Sequence, residues 1–306
     1  MNYLINLGLG ASLALFLLSL CVAIEYVSPR GRYTLRQRIP GTLMQVVGST
    51  LLISLIIPLH MLWDGLGIGP VVTVPLWSWL SPLGVAGYAL QVLVALALLD
   101  FLRYWRHRAE HEWFWPIHAV HHAPRELHAA NSIGHPLQAI PEFFFVAVPL
   151  SFVAFDGPGT PIAVNLVSSL LTVYIHTASD FHFGPLRAAV VDNRFHRIHH
   201  SVEAHHIDKN YGICFSLWDR IFGTAYWPRP NEWPEVGIED APPATVRDFL
   251  LYPLPHKRPD LIDDYALSIP STREAREPSL AVLSSSLIGE SDHAATGSDG
   301  PTTAIS

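Results

Sequence analysis

Eight histidines of this chain fall into three groups spaced to fit one face of an α-helix: His107-x-x-x-His111, His118-x-x-His121-His122 and His196-x-x-His199-His200. A helix turns by about 100° per residue, so positions i, i+3 and i+4 share a face and each group presents two or three imidazoles side by side. A lone histidine on an apolar face is an ordinary core residue. Eight of them at helical spacing, with the HxxHH form used twice, make a ligand arrangement and require separate helical segments to converge on one place.

Composition says what surrounds that place. Half of the 306 residues are hydrophobic and only 15% are charged, which points to a membrane protein. A net charge of -7, with no cluster of Lys and Arg away from the apolar runs, excludes a nucleic-acid partner. Cys21 and Cys214 form neither a disulfide framework nor a zinc pattern, so the metal donors are imidazoles. Neutral imidazole suits iron, zinc, copper and nickel, and ligand type alone does not choose among them.

Residues 9–27, 41–63 and 83–99 are apolar runs, each close to the length of about 20 residues that a helix needs to cross a bilayer. No Lys or Arg precedes the first run, so it reads as a retained helix rather than a signal peptide. Arg30, Arg32, Arg36 and Arg38 then place residues 28–38 in the cytoplasm. The Gly/Pro-rich stretch 64–82, with Trp77 and Trp79, reads as a connection on the opposite side. The third run returns and ends in Asp100, Arg103, Arg106 and Arg108, where the histidines begin, so their chemistry emerges at the cytoplasmic face.

Trp115-Pro116 divides the first two histidine groups between successive helices. Two shorter runs, 137–155 and 162–175, form a hairpin that lets His135 and His176 face the cytoplasmic side. Pro141, Glu142 and Pro149 leave it either spanning or re-entrant. Asp192 and Asn193 suit the cap of a short helix carrying the last cluster. The expected fold is an all-α integral membrane protein of four to five apolar helices or hairpins with a cytoplasmic, histidine-rich helical cap. Its expected organisation is N-terminal spans (1–82), a catalytic region (83–228), a proline-rich extension (229–270) and a disordered tail (271–306).

One catalytic zinc takes about three protein ligands, whereas eight or more histidines fit two metals. Two adjacent metals at a membrane surface suggest iron and O2 acting on an unactivated C–H bond of an apolar substrate from the bilayer. Two other classes stand beside this one. His107-Arg-Ala-Glu110-His111 satisfies the HxxEH signature of a zinc peptidase with Glu110 as general base, but that reading leaves both HxxHH groups unused. A histidine-lined metal transporter would place its ligands within the spans, and here they lie outside them.

The order HxxxH, HxxHH, a lone histidine after an apolar run, HxxHH, then Asn210-Tyr-Gly and Trp218-Asp-Arg-Ile-Phe-Gly-Thr224 resembles the fatty acid hydroxylase/sterol desaturase superfamily of membrane di-iron oxygenases. The resemblance covers residues 100–224. It implies an all-helical fold, two irons, O2, and hydroxylation or desaturation of a lipid. Electrons would come from NAD(P)H through a separate cytochrome b5-like or ferredoxin-like carrier and its reductase. By motif position it implies His107, His111, His118, His121, His122, His196, His199 and His200 as ligands, with His176 as the lone histidine. His182 is a tenth candidate ligand, two residues past Asp180, which stands where some members carry a further histidine. His135, His205 and His206 read equally as additional ligands or as polar loop residues, and His60, His128, His256 and His293 as structural or incidental. Asp100 reads either as a carboxylate behind a ligand or as the end of its span, Asp219-Arg220 as an ion pair, and Trp113, Phe114 and Trp115 as interface anchors.

Overall fold

The computed structural model describes residues 2–254 except 133, 240, 241 and 244. His256, His293 and the tail expected to be disordered lie outside the described residues. Helices α1 (Asn2–Val27), α2 (Leu35–Leu66) and α4 (Val85–Glu112) are long and apolar enough to cross a membrane. This is a mostly helical membrane protein. Between α2 and α4 lie strand β1 (Val72–Val74) and the short helix α3 (Leu76–Leu80). After α4 come α5 (Trp115–His122), α6 (Ala139–Glu142), a π-helical turn (Phe143–Ala147), α7 (Val148–Ser151) and strand β2 (Val153–Phe155). The chain continues through α8 (Thr160–Tyr174), α9 (Asn193–His199), α10 (Leu217–Ile221) and α11 (Val246–Leu251).

Helix α1 packs against α2 and α8, and α4 packs against α8. Leu18 and Cys21 of α1, Leu96 and Leu99 of α4, Val173 and Tyr174 of α8, Phe195 of α9, and Ile213 share one buried core. A second cluster joins Met44 of α2, Trp115, Ala119 and Val120 of α5, and Phe249 of α11. Part of the proline-rich extension, α11, therefore packs on a histidine-bearing helix. Trp115 is in that cluster rather than at an interface, while Trp113 stays 69% exposed.

One end of the bundle is tied by backbone. Strands β1 and β2 pair in parallel, Val72 opposite Val153, and bring the two connections 67–84 and 152–159 together. The Asp156 carboxylate accepts from Trp77 N at 2.7 Å and Ser78 N at 2.9 Å at the start of α3. These strands are the exception to the all-α expectation.

The other end is tied by buried polar groups. Helix α2 begins six residues before the second apolar run, at a Thr34–Gln37 capping box. Two of the four arginines expected in a loop, Arg36 and Arg38, are thus helical. Arg38 pairs with Glu25 of α1 at 2.5 Å, both nearly solvent-free. Glu25 Oε1 also accepts from Ala129 N at 2.8 Å and Ala178 N at 2.9 Å. A glutamate at the end of an apolar run thereby anchors the segments that follow α5 and α8. Gly41 is required here, because a Cβ at that position would lie 1.9 Å from the Ala130 carbonyl oxygen.

Candidate metal centre

Nine of the ten expected histidines meet at this second end, each no more than 7% exposed. They form two groups. His107, His111, His118, His122 and His199 make one, and His121, His176, His196 and His200 the other. Helical geometry explains the division. In each HxxHH motif the i and i+4 histidines, about 40° apart on the wheel, enter the same group, and the intervening one, on the shoulder of that face, crosses to the other. Thus α5 gives His118 and His122 to the first group and His121 to the second, while α9 and its C-cap give His196 and His200 to the second and His199 to the first. The groups adjoin, with the His122 and His200 rings stacked at 4.4 Å.

Local structure holds each helix in register. Asp192 caps α9 by accepting from Phe195 N at 3.0 Å, as the sequence leads one to expect. Asn193 Nδ2 donates to the carbonyls of Thr177 at 3.2 Å and Ser179 at 2.7 Å, locking α9 to the chain that carries His176.

The ring nitrogens point inward. In the five-histidine group Nε2 of His118 lies 3.2 Å from that of His107 and 3.1 Å from that of His122, and His111 and His199 meet at 3.2 Å. In the four-histidine group His176 Nε2 lies 3.3 Å from His121 Nε2 and 3.1 Å from His196 Nε2, which lies 3.2 Å from that of His200. Metal–nitrogen bonds of about 2.0–2.1 Å put neighbouring donors about 2.9 Å apart at a right angle and about 3.4 Å apart at the tetrahedral angle. The observed spacings lie between these limits, so both groups fit a metal ion.

The outer nitrogens fix the tautomer. Nδ1–H donates to the Tyr211 carbonyl at 2.9 Å from His107, to the Lys209 carbonyl at 2.8 Å from His199, and to the Thr172 carbonyl at 2.7 Å from His176. That leaves their Nε2 lone pairs facing the centre, as a ligand requires. His111 Nδ1 lies 3.3 Å from Asp208 Oδ1. The other side of His118 is crowded, with Gln138 Nε2 at 2.7 Å and Glu110 Oε2 at 3.3 Å. Burial first, and then the charge of neighbouring imidazoles, hold His118, His121, His122, His196 and His200 well below the usual histidine range. Burial also pushes His176 down to about 4. Neutral imidazole, the ligating form, is therefore favoured at these six positions.

The segment Asp208–Gly212 supplies three of these outer partners, and sequence reasoning did not assign it that task. Backbone carbonyls carry no sequence signature; only Asp208 had a side chain by which it could have been found. Asp219, expected to pair with Arg220, instead accepts from Tyr211 N and Gly212 N, both at 2.8 Å, and from Thr224 Oγ1 at 2.7 Å. Gly212 has no room for a Cβ, which would sit 2.5 Å from the Phe215 carbonyl oxygen. Asp100 touches no histidine. Its carboxylate accepts from the backbone N–H groups of Ile213, Cys214 and Phe215 at 3.3, 2.8 and 2.9 Å. The two buried aspartates thus hold the segment behind the histidines.

His182 is not brought to either group: it is exposed, and its Nδ1 accepts from Gly184 N at 3.0 Å. His135 is buried but separate, its Nδ1 accepting from Leu137 N at 3.1 Å and its Nε2 donating to the Leu250 carbonyl at 3.1 Å. His205 and His206 belong to a different cluster with Glu203. Glu110, fully buried, accepts from Arg106 at 2.7 Å and from Gln138 at 3.2 Å and lies outside both groups.

A cavity of about 390 Å³ leads away from the centre. Its walls combine His107, His118, His121, His176 and His196 with Leu13, Leu17, Leu52, Ile53 and Ile56 of α1 and α2, and also take in Arg103, Arg106 and Glu142.

Residues 92–224, which span both histidine groups and the segment behind them, match the fatty acid hydroxylase family. The chain resembles that family over less than half of its length. It is 32% identical over 151 residues to human alkylglycerol monooxygenase, covering 48% of this chain and 30% of that protein. It is 30% identical over 157 residues to the ornithine lipid hydroxylase OlsE of Rhizobium tropici, covering 49% of this chain and 46% of that one. A putative methylsterol monooxygenase of Dictyostelium discoideum is 31% identical over 154 residues, 47% of this chain and 54% of that protein. The match thus spans about half or less of each relative's length. No solved structure matches the chain.

Proposed function

We propose that this protein is a membrane-bound non-haem di-iron oxygenase that hydroxylates or desaturates a lipid. The observation that carries the reading is the pairing of two adjoining, buried histidine groups with a cavity walled in part by apolar residues of two helices of spanning length. The relatives, a lipid hydroxylase and monooxygenases by name, agree with it. His107, His111, His118, His122 and His199 would hold one iron, and His121, His176, His196 and His200 the other. The bound irons supply, with O2, the oxidising power needed for an unactivated C–H bond. Hydroxylation consumes one O2, two electrons and two protons and yields the alcohol and one water; desaturation on the same inputs yields the alkene and two waters.

The chain's own residues do the rest. The walls of α1 and α2 take an apolar chain out of the bilayer and exclude water from the reacting carbon. The carbonyls of Tyr211, Lys209 and Thr172 keep His107, His199 and His176 in the ligating tautomer. Electrons come from NAD(P)H through a separate cytochrome b5-like or ferredoxin-like protein. Arg30 and Arg32 lie at the histidine end, with Arg30 N bonded to the Ala178 carbonyl, and this excess of positive charge supports reading that end as cytoplasmic. Reporter fusions after Arg38 or Thr224 should register as cytoplasmic and one at Gly67 as external.

Two features oppose a zinc peptidase. Glu110 is bound by Arg106 and Gln138 rather than free to activate water, and three further histidines, His118, His122 and His199, complete the group around the HxxxH pair. The deciding experiment is a reconstitution in lipid vesicles with a reductase and carrier. O2 uptake should accompany a lipid product one oxygen heavier or two hydrogens lighter. Lipid profiles of a deletion strain and its parent would then name the substrate. Peptide cleavage without O2 uptake would refute the reading.

A further inference from the structure

The loop just after the last histidine group holds a cluster that the oxygenase does not use. Glu203 and His205 are half-exposed, with His205 Nε2 3.6 Å from Glu203 Oε2. His206 beside them is fully buried, and each of its nitrogens faces a carboxylate. Nδ1 lies 4.0 Å from Glu203 Oε2, and Nε2 lies 3.6 Å from Glu232 Oε1. That Nε2 is buried without a hydrogen-bond partner. Glu232 is itself held in place, accepting from Tyr226 OH at 3.1 Å and Arg229 N at 2.6 Å. A buried imidazole placed between two carboxylates, with a second imidazole ring tilted against it at 4.0 Å, is costly to leave unfilled.

We propose that Glu203, His205 and His206 form a separate site for a divalent cation of the zinc class. Two imidazoles and a carboxylate are the donor set such an ion takes, with water completing four-coordination. Glu203 Oε2 stands 3.6 Å from His205 Nε2 and 4.0 Å from His206 Nδ1, wider than the tetrahedral spacing of about 3.4 Å, and the half-exposed Glu203 and His205 side chains can rotate to close the gap. When His206 ligates through Nδ1, the Ser201 hydroxyl releases its 2.9 Å bond to that atom. Nε2 then carries the proton and turns it toward Glu232, the arrangement in which a carboxylate backs a metal-bound imidazole.

Position gives the site its purpose. Ser201 pairs with Val236, Val202 N donates to the Glu235 carbonyl at 3.1 Å, and Gly237 N donates to the His200 carbonyl at 3.1 Å. The segment beyond Trp227 therefore runs alongside the third histidine motif, and a cation at Glu203 would cross-link the loop to that strap through Glu232. The inference is independent of what the nine histidines bind.

The test is zinc binding by the full-length protein purified in detergent, compared with the double variant Glu203→Gln, His205→Asn. Both substitutions are at half-exposed positions, so the fold is kept. After saturation with zinc and desalting, the native chain should retain one zinc more than the variant, whatever the shared total. Its thermal midpoint should rise with zinc further than the variant's does. A titration should show that one equivalent weakened 100-fold or more by the double substitution. Equal retention, or equal thermal shifts, would overturn the proposal.

Discussion

The two histidine groups differ in number and in what stands behind them. The five-histidine group is backed by the segment Asp208–Gly212, through the Tyr211 and Lys209 carbonyls and Asp208. The four-histidine group has the Thr172 carbonyl behind His176, while Nδ1 of His121 and of His196 is buried with no hydrogen-bond partner. Three of its four members, against two of the other five, line the cavity. We infer from this difference that the five-histidine group would grip a metal more tightly, while the four-histidine group stands nearer the cavity. On chelator titration the metal of the four-histidine group should leave first, and a single-phase release would break the comparison.

The largest effect expected is that of His196→Ala. This group has no spare donor, so its metal and lipid oxidation should both be lost, while the five-histidine group keeps its ion. His199→Ala removes one donor of five and also strips the Lys209 contact, and a substantial loss of metal should follow there instead. Metal analysis of the two variants checks this directly, and unchanged content in both would sink the assignment.

Asp219→Ala comes next. It removes the acceptor of two buried N–H groups and a hydroxyl, which should destabilise the fold by about 3 kcal/mol. Because Asp219 positions the segment behind His107, His111 and His199, metal affinity should fall about 10- to 100-fold in the five-histidine group only. Chemical denaturation measures the first effect and metal competition the second. Equal weakening of both groups would mean that the segment does not distinguish them.

Acid should affect both groups. In the unfolded chain histidines take up protons below about pH 6.5, whereas the folded, metal-free protein resists, His176 until about pH 4. The unfolded state therefore binds more protons in that window, and stability falls as pH drops through it, by up to about 1.4 kcal/mol per histidine per pH unit. Protons also compete with metal for Nε2. Thermal midpoints of the metal-free protein should decline from pH 7 toward pH 4, and a flat profile would contradict the buried, neutral state of these imidazoles.

The smallest effect is expected from Glu110→Gln. Glu110 lies outside both groups, and an amide oxygen still accepts from Arg106. Both metals and a measurable fraction of lipid oxidation should survive, whereas His111→Ala loses activity and weakens the five-histidine group. Complete inactivation by Glu110→Gln with metal intact would favour the peptidase after all.

Much of this was legible in the sequence because it depends on periodicity. Three spans, the histidine positions and the Asp192 cap follow from spacing and local chemistry. The partition into two groups was not legible, since the crossing of His121 and His199 depends on how α5 and α9 face each other. Asp100 and Asp219 were misjudged for a related reason. Their partners are backbone N–H groups more than a hundred residues away for Asp100 and within a folded loop for Asp219, and neither shows in a residue pattern. His182 is not brought in because α8 ends at Tyr174 and the chain between His176 and His182 leaves the helix, Ser179 bridging to Pro29, so helical spacing does not carry from one histidine to the other.

The central claim is that each chain holds two irons in two distinct groups. Anaerobic reconstitution with ferrous iron, followed by counting metal per chain in the native protein and in His196→Ala, tests it most directly. Two irons in the native chain and one in the variant are predicted. A single iron in the native chain, or an unchanged count in the variant, would contradict the account.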